Sequence, residues 1–181
     1  ISSNNITQDD LILVSRDIGA HGATIFTARE GMDMHSNLKS DCNSLYPQVK
    51  ALIDAGVKIT ALRDATRGGV SAVLNEWAKQ SNICIEVEEE NIPVSDEVKG
   101  ICEMLGFEAT NLANEGTFVL AIKKEDVAKA IEILHKFSEA SNACIIGKVT
   151  QQYPQKVILN SSWGTKRFLD TPSGELLPRI C

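Results

Sequence analysis

Apolar positions along the chain follow two different periods. Short runs rich in Ile, Val and Leu recur at Asp10–Ser15 (DLILVS), Val57–Arg63 (VKITALR), Ile83–Val87 (ICIEV), Thr117–Ile122, Ala143–Val149 and Lys156–Leu159. Their length and side-chain type are those of strands, and Arg167–Leu169 adds a short candidate. Between them the spacing turns helical. Ser44–Ala55 puts Leu45, Val49, Leu52 and Ile53 on one face, with Pro47 near its start and Gly56 where a left-handed terminal residue belongs. A second helix carries Val70, Val73, Leu74 and Trp77 inward. A third opens on Ser95, with Asp96 and Glu97 in its first turn, packs Val98, Ile101, Cys102 and Leu105, and stops at Gly106. Glu125–Phe137 is a fourth, facing inward with Val127, Ile131 and Leu134. Ala23–Glu30 reads as a short helix between the turn Gly19–Gly22 and Gly31.

This interleaving predicts an α+β fold, a mixed β-sheet packed with helices, over residues 1–170. Residues 171–181, with two prolines and a glycine, read as an extended, flexible tail. No internal repeat and no Ser/Gly linker divides the chain. At 181 residues it should bury roughly 70% of its unfolded surface.

Charge and composition then remove several functions. The chain has 18 Lys+Arg against 24 Asp+Glu, a net charge of -6, with no basic stripe to neutralise phosphates, so nucleic acid is not an expected partner. No apolar run approaches the roughly 20 residues that span a bilayer, so no membrane association is expected. The start, Ile1-Ser2-Ser3-Asn4-Asn5, is not a signal peptide and lacks an initiating Met, as a fragment or processed chain would. Five cysteines with no C-x-x-C pair argue against a disulfide framework or a Cys-rich zinc site, and favour a reducing, cytoplasmic setting. Cys84 and Cys144 read as small buried hydrophobes. His21, His35 and His135 are too scattered to make a metal site, and no metal ligand is assigned.

Two loops could carry chemistry. Arg63-Asp64-Ala65-Thr66-Arg67-Gly68-Gly69 joins a strand to a helix. Glycines admit a ligand close to the backbone, the helix start offers free N–H groups, and Arg67 supplies a forked donor for phosphate. The spacing is neither a Walker A nor a Rossmann fingerprint, and a plain turn with Asp64 and Thr66 capping the helix accounts for it equally well. Asn114-Glu115-Gly116 precedes a strand, where a carboxylate can act as a base or hold a metal-bound phosphate; most such triplets are ordinary turns. His21 sits where it could contact phosphate or relay a proton, though a solvated turn histidine is commoner.

The tail, Pro172 to Cys181, ends on a thiol. Extended, it reaches about 30 Å, enough to carry that thiol into another site. An unperturbed cysteine titrates near roughly pH 8.5, so its nucleophilicity depends on where it docks. A prenylation signal is excluded, because that places the Cys four residues from the end.

Taken together, Ser15–Gly22, LRDATRGGV at 62–70, Asn75-Glu76, Ile92-Pro93-Val94, Cys102–Gly106, ANEG at 113–116, IIGKV at 145–149 and the ending LPRIC resemble the HypE family of hydrogenase expression/formation proteins. The likeness is to that family's C-terminal half, a domain shared with aminoimidazole ribonucleotide synthetase (PurM) and selenophosphate synthetase. LPRIC is the most specific piece; the middle motifs identify only the wider superfamily.

The resemblance implies a PurM C-terminal-domain-like fold and a cyanide-making step in [NiFe]-hydrogenase maturation. In the family the terminal Cys receives a carbamoyl group from the carbamoyltransferase HypF. ATP then activates the amide oxygen, and loss of water leaves a thiocyanate that provides cyanide to iron on the HypC–HypD scaffold. Carried over, Cys181 is the carrier thiol, Glu115 the carboxylate assisting deprotonation and His21 a phosphate or proton contact. Asp64, Arg67, Gly68 and Gly69 line the nucleotide side. Thr117 stands where a basic residue is frequent, and Ala20 replaces a usual polar one. The family's N-terminal half, which binds most of the ATP and Mg2+ and forms the homodimer, has no counterpart here, so this polypeptide alone is expected to be inactive. Two other readings stay open: a thiol-bearing interaction module without its own catalysis, and another synthetase or kinase chemistry on the same fold.

Overall fold

The computed structural model describes residues 1–31 and 38–171. Seven strands and five α-helices alternate along it: β1 (Leu11–Val14), α1 (Ala20–Arg29), α2 (Tyr46–Asp54), β2 (Ile59–Asp64), α3 (Gly69–Gln80), β3 (Cys84–Glu88), α4 (Asp96–Leu105), β4 (Phe118–Ile122), α5 (Val127–Leu134), β5 (Cys144–Thr150), β6 (Lys156–Asn160) and β7 (Lys166–Phe168). The strands form one sheet in the order β2-β4-β1-β5-β3-β6-β7. Only β3 and β6 pair in parallel; the other pairs are antiparallel. The expected mixed α+β sheet is the one found.

Side-chain alternation explains how the layers assemble. On β1, Ile12 and Val14 face the cluster built on α3, with Val70, Val73, Leu74 and Trp77. Leu13 faces the opposite cluster, with Leu52 of α2 and Ala130 and Leu134 of α5. On β4, Val119 and Ala121 join the first cluster while Phe118, Leu120 and Ile122 join the second. A strand covered on both faces must be apolar throughout, as all five residues of β4 are. A third, smaller cluster joins Ala23 of α1 to Val98, Ile101 and Cys102 of α4, and Phe26 meets Phe107 edge-on.

Cys84 and Cys102 are buried and Cys144 is partly buried. Burial pushes the Cys102 thiol above its ordinary value. Burial, and then the negative charge of Asp17, do the same at Cys144. Both thiols are thereby poorer nucleophiles. Among the described residues no helix is long and apolar enough to cross a membrane.

Two helix starts differ from the local expectation. α1 begins at Ala20, so His21 lies in its first turn and not in a loop ahead of it. The reason is tertiary. Gly19, at φ +86°, caps the helix, and the 113–114 segment takes up the Gly19 and Gly22 N–H groups. α3 is capped by Gly68 at φ +75° with no side-chain bond, so Asp64 and Thr66 do not cap it.

Candidate functional site

β2, β4 and β1 are neighbours, and their register decides where the candidate residues meet. Val14, the last residue of β1, pairs with Val119 near the start of β4. Asp64, the last of β2, pairs with Phe118. The loops after β1 and β2 and the loop before β4 therefore gather at one end of the sheet. Pairing runs on past the strands: Ser15 N–H donates to Phe118 O, Ser15 Oγ accepts the Phe118 N–H, and Ala65 N–H donates to Thr117 O at 2.9 Å.

Asn114 ties this end together. It is 0% exposed. Its Oδ1 accepts from Gly19 N–H at 2.7 Å, and its Nδ2 donates to the carbonyls of Ala65 at 2.8 Å and Leu112 at 3.1 Å. One amide thus links three loops that are otherwise far apart in sequence. A buried amide with every group partnered specifies a geometry, because leaving any group unpaired costs more than the bond itself contributes.

A second clamp comes from the segment before α2. Asp41 is 3% exposed. Its Oδ1 accepts from Glu115 N–H at 3.1 Å, and its Oδ2 from Gly116 N–H at 3.0 Å and Thr117 Oγ1–H at 2.8 Å. Next to it, Ser40 Oγ is hydrogen-bonded to His21 Nδ1 at 2.9 Å. Residues 40 and 41 therefore hold both His21 and the backbone of Glu115.

Close approach explains the glycines. A Cβ on Gly116 would lie 1.8 Å from Asp41 O, and one on Gly69 2.5 Å from the carbonyl oxygens of Thr110 and Leu112. Gly69 thus lets the start of α3 fit beneath the 110–112 segment. Backbone carbonyls thus leave no room for a side chain at this position. Asp64 and Arg67 are exposed and Gly68 is partly exposed on the same loop, and Arg63 pairs with Glu76 of α3.

The structure brings His21, Asp64, Arg67, Gly68, Gly69 and Glu115 onto one end of the sheet. Glu115 is exposed, and His21 is half-buried against Ser40. Cys181, the tail from Pro172 onward and His35 lie outside the described residues. His135, the remaining histidine, bonds the backbone carbonyl of Ala143 at 2.8 Å. Among the described residues no group of three or more His, Cys, Asp or Glu could hold a metal.

Asp41 is the residue that pattern reasoning passed over, in a polar stretch with no period. Its only trace in the sequence was indirect: a glycine after Glu115 whose need for close approach has no local cause.

The family model for the AIR synthase related protein, C-terminal domain, matches residues 7–160. Carbamoyl dehydratase HypE of Escherichia coli (strain K12) is 43% identical over 180 residues, 99% of this chain and 52% of its own length. Carbamoyl dehydratase HypE of Rhodobacter capsulatus is 34% identical over 181 residues, 100% of this chain and 53% of its own. The chain spans about half the length of the curated relatives it matches. The crystal structure of E. coli HypE superposes with a TM-score of 0.93 at 41% identity, covering 99% of this chain and 55% of that one. HypE in complex with ATP gives 0.93 at 32% identity, covering 99% and 55%. A HypE–HypF complex gives 0.89 at 37% identity, covering 94% and 55%. Thiamine monophosphate kinase from Aquifex aeolicus, at 19% identity and a TM-score of 0.60 over 92% of this chain and 54% of that one, shares the fold alone. The family model and the HypE proteins match the same loops that Asn114 and Asp41 hold together, and the chain belongs to the AIR synthase related family, C-terminal domain, among its HypE members.

Proposed function

We propose that this chain is the C-terminal half of a HypE-type, ATP-dependent carbamoyl dehydratase acting in [NiFe]-hydrogenase maturation, with Cys181 as the carrier thiol. The observation that carries the reading is the gathering of His21, Glu115, Asp64 and Arg67 at one end of the sheet. That end is fixed by buried polar residues, in a chain matched along its length by HypE proteins.

The chemistry asks for what this end can offer. A carbamoyl group from HypF replaces the thiol proton of Cys181, giving S–C(O)–NH2. Transfer of the ATP γ-phosphoryl to the carbonyl oxygen removes one N–H proton and leaves ADP. Loss of phosphate with the second N–H proton gives S–C≡N, so the oxygen departs on phosphate and both amide protons reach bases. Hydroxide is too poor a leaving group for this elimination, and phosphorylation removes that barrier. Glu115, exposed and without a side-chain partner among the described residues, is the proton acceptor. His21, oriented through Nδ1 by Ser40, has Nε2 left for a phosphate oxygen or a proton.

Arg67 meets phosphate with a fixed positive charge, and Asp64 and Gly68 line the same loop. Gly69, where an added side chain would meet the carbonyls of Thr110 and Leu112, lines the nucleotide side with them. Mg2+ needs several oxygen ligands, and Asp64 alone does not supply them. The metal, most of the ATP contacts and a homodimer interface are assigned to the other half of a polypeptide about twice this length, and this chain alone is inactive. HypF and the HypC–HypD iron scaffold are the partners, and the setting is the cytoplasm.

Intact-mass analysis of the full-length protein with HypF and its carbamoyl donor system, then ATP, tests the reading. A carbamoyl adduct followed by loss of one water is expected, both absent in Cys181→Ala. Adducts that persist in that variant would remove Cys181 from the mechanism.

A further inference from the structure

We propose that Asp41 is a positioning residue for the Glu115 carboxylate; the inference rests on Glu115 being the proton acceptor. Glu115 is exposed and its side chain has no partner among the described residues to orient it, so the position of its carboxylate depends on how well its backbone is held. Two buried polar residues hold that backbone. Asn114, directly before it, is locked by its bonds to Gly19, Ala65 and Leu112. Asp41 receives the N–H groups of Glu115 and Gly116, which fixes the peptide planes on both sides of the Glu115 Cα.

The Asp41 carboxylate carries a third donor, Thr117 Oγ1–H at 2.8 Å, and is almost fully buried. Charge-assisted bonds to a buried carboxylate are the stronger kind, and an ionised carboxylate only accepts, so all three donors point at it without conflict. Thr117, 1% exposed, thus has a use that a basic residue there would not have. The loop cannot slide to restore contact if the clamp is loosened, because Gly116 already lies against Asp41 O. Misplacement of about 1 Å costs on the order of 100-fold in turnover. The same segment holds His21 through Ser40, so one short stretch of chain sets the spacing of both groups.

The test uses the full-length protein and single-turnover dehydration of its carbamoylated thiol. Asp41→Asn presents an amide N–H₂ toward donors and is expected to lower the rate about 100-fold with the affinity for ATP unchanged. Glu115→Gln measures the base itself, and the double variant decides between roles. If Asp41 acts through Glu115, the double variant is no slower than Glu115→Gln. Thr117→Val removes one donor at constant shape and is expected to lose roughly 10-fold, with Thr117→Ser restoring the rate; this pair carries the test if Asp41→Asn does not fold. Full turnover in Glu115→Gln would overturn both the base and its positioning. A Glu115→Gln variant that is dead, beside an Asp41→Asn that is fully active or strictly additive, would overturn the positioning role alone.

Discussion

At the scale of single residues, space and hydrogen bonding outweigh residue type. Gly116 does not sit at a positive φ, so its requirement is room and not backbone freedom. An added methyl would meet a backbone carbonyl, which cannot rotate away as the end of a side chain can. Gly116→Ala is expected to destabilise the protein by about 1–3 kcal/mol, seen as a melting point lower by roughly 2–4 °C for each kcal/mol. Gly100 of α4 is the contrast, exposed and with nothing within 4 Å of its added Cβ. Gly100→Ala is expected to raise stability by about 0.5–1 kcal/mol through helix propensity. Thermal melts that ranked the two alike would refute the close-approach argument. The sequence pointed to the 114–116 loop, but Asp41 was hidden there because a buried acid inside a polar stretch leaves no periodic trace. Only the fold, which brings positions 41 and 115 together, discloses it.

At the scale of elements, legibility follows the range of the interaction that defines each boundary. Strands β1 to β6 stand out because their apolar runs reflect burial on one or both faces. α4 was readable to its cap, because that cap is local. Ser95 Oγ accepts from Val98 N–H at 3.3 Å, Asp96 and Glu97 occupy the first turn, and Gly106 closes the helix at φ +69°. Ser95→Ala is expected to cost about 1 kcal/mol, and Ser95→Asp to retain most of it, with chemical denaturation as the measure. Equal stability of the Ala variant and the parent would mean that packing of Val98 and Ile101 alone sets this helix start. The starts of α1 and α3 were less legible for the opposite reason. Their first-turn N–H groups or close contacts are met by residues of the 110–114 segment, far away in sequence, and no local capping pattern records such partners.

At the scale of the whole molecule, the sheet order places the candidate site on the most firmly held strands. β4 and β1 each have a strand on both sides and helices or packed clusters on both faces. β7 has three residues, all exposed, and pairs only with β6. Local opening requires least free energy where few buried contacts are broken, so amide exchange should be slowest in β1, β4 and β5 and fastest in β7. The loops separate two pictures of the site. Exposed loops ordinarily exchange fast, yet the amides of Gly19, Glu115 and Gly116 donate to Asn114 and Asp41, both buried. If those clamps make the loop ends part of the sheet's stable unit, the three amides exchange on the timescale of β4, and Asp41→Asn releases Glu115 and Gly116 while leaving Gly19 protected. If they exchange as fast as Arg167 in β7, the loops are held only in passing. The spacing of His21 and Glu115 would then have to be established by a bound substrate and not by the fold.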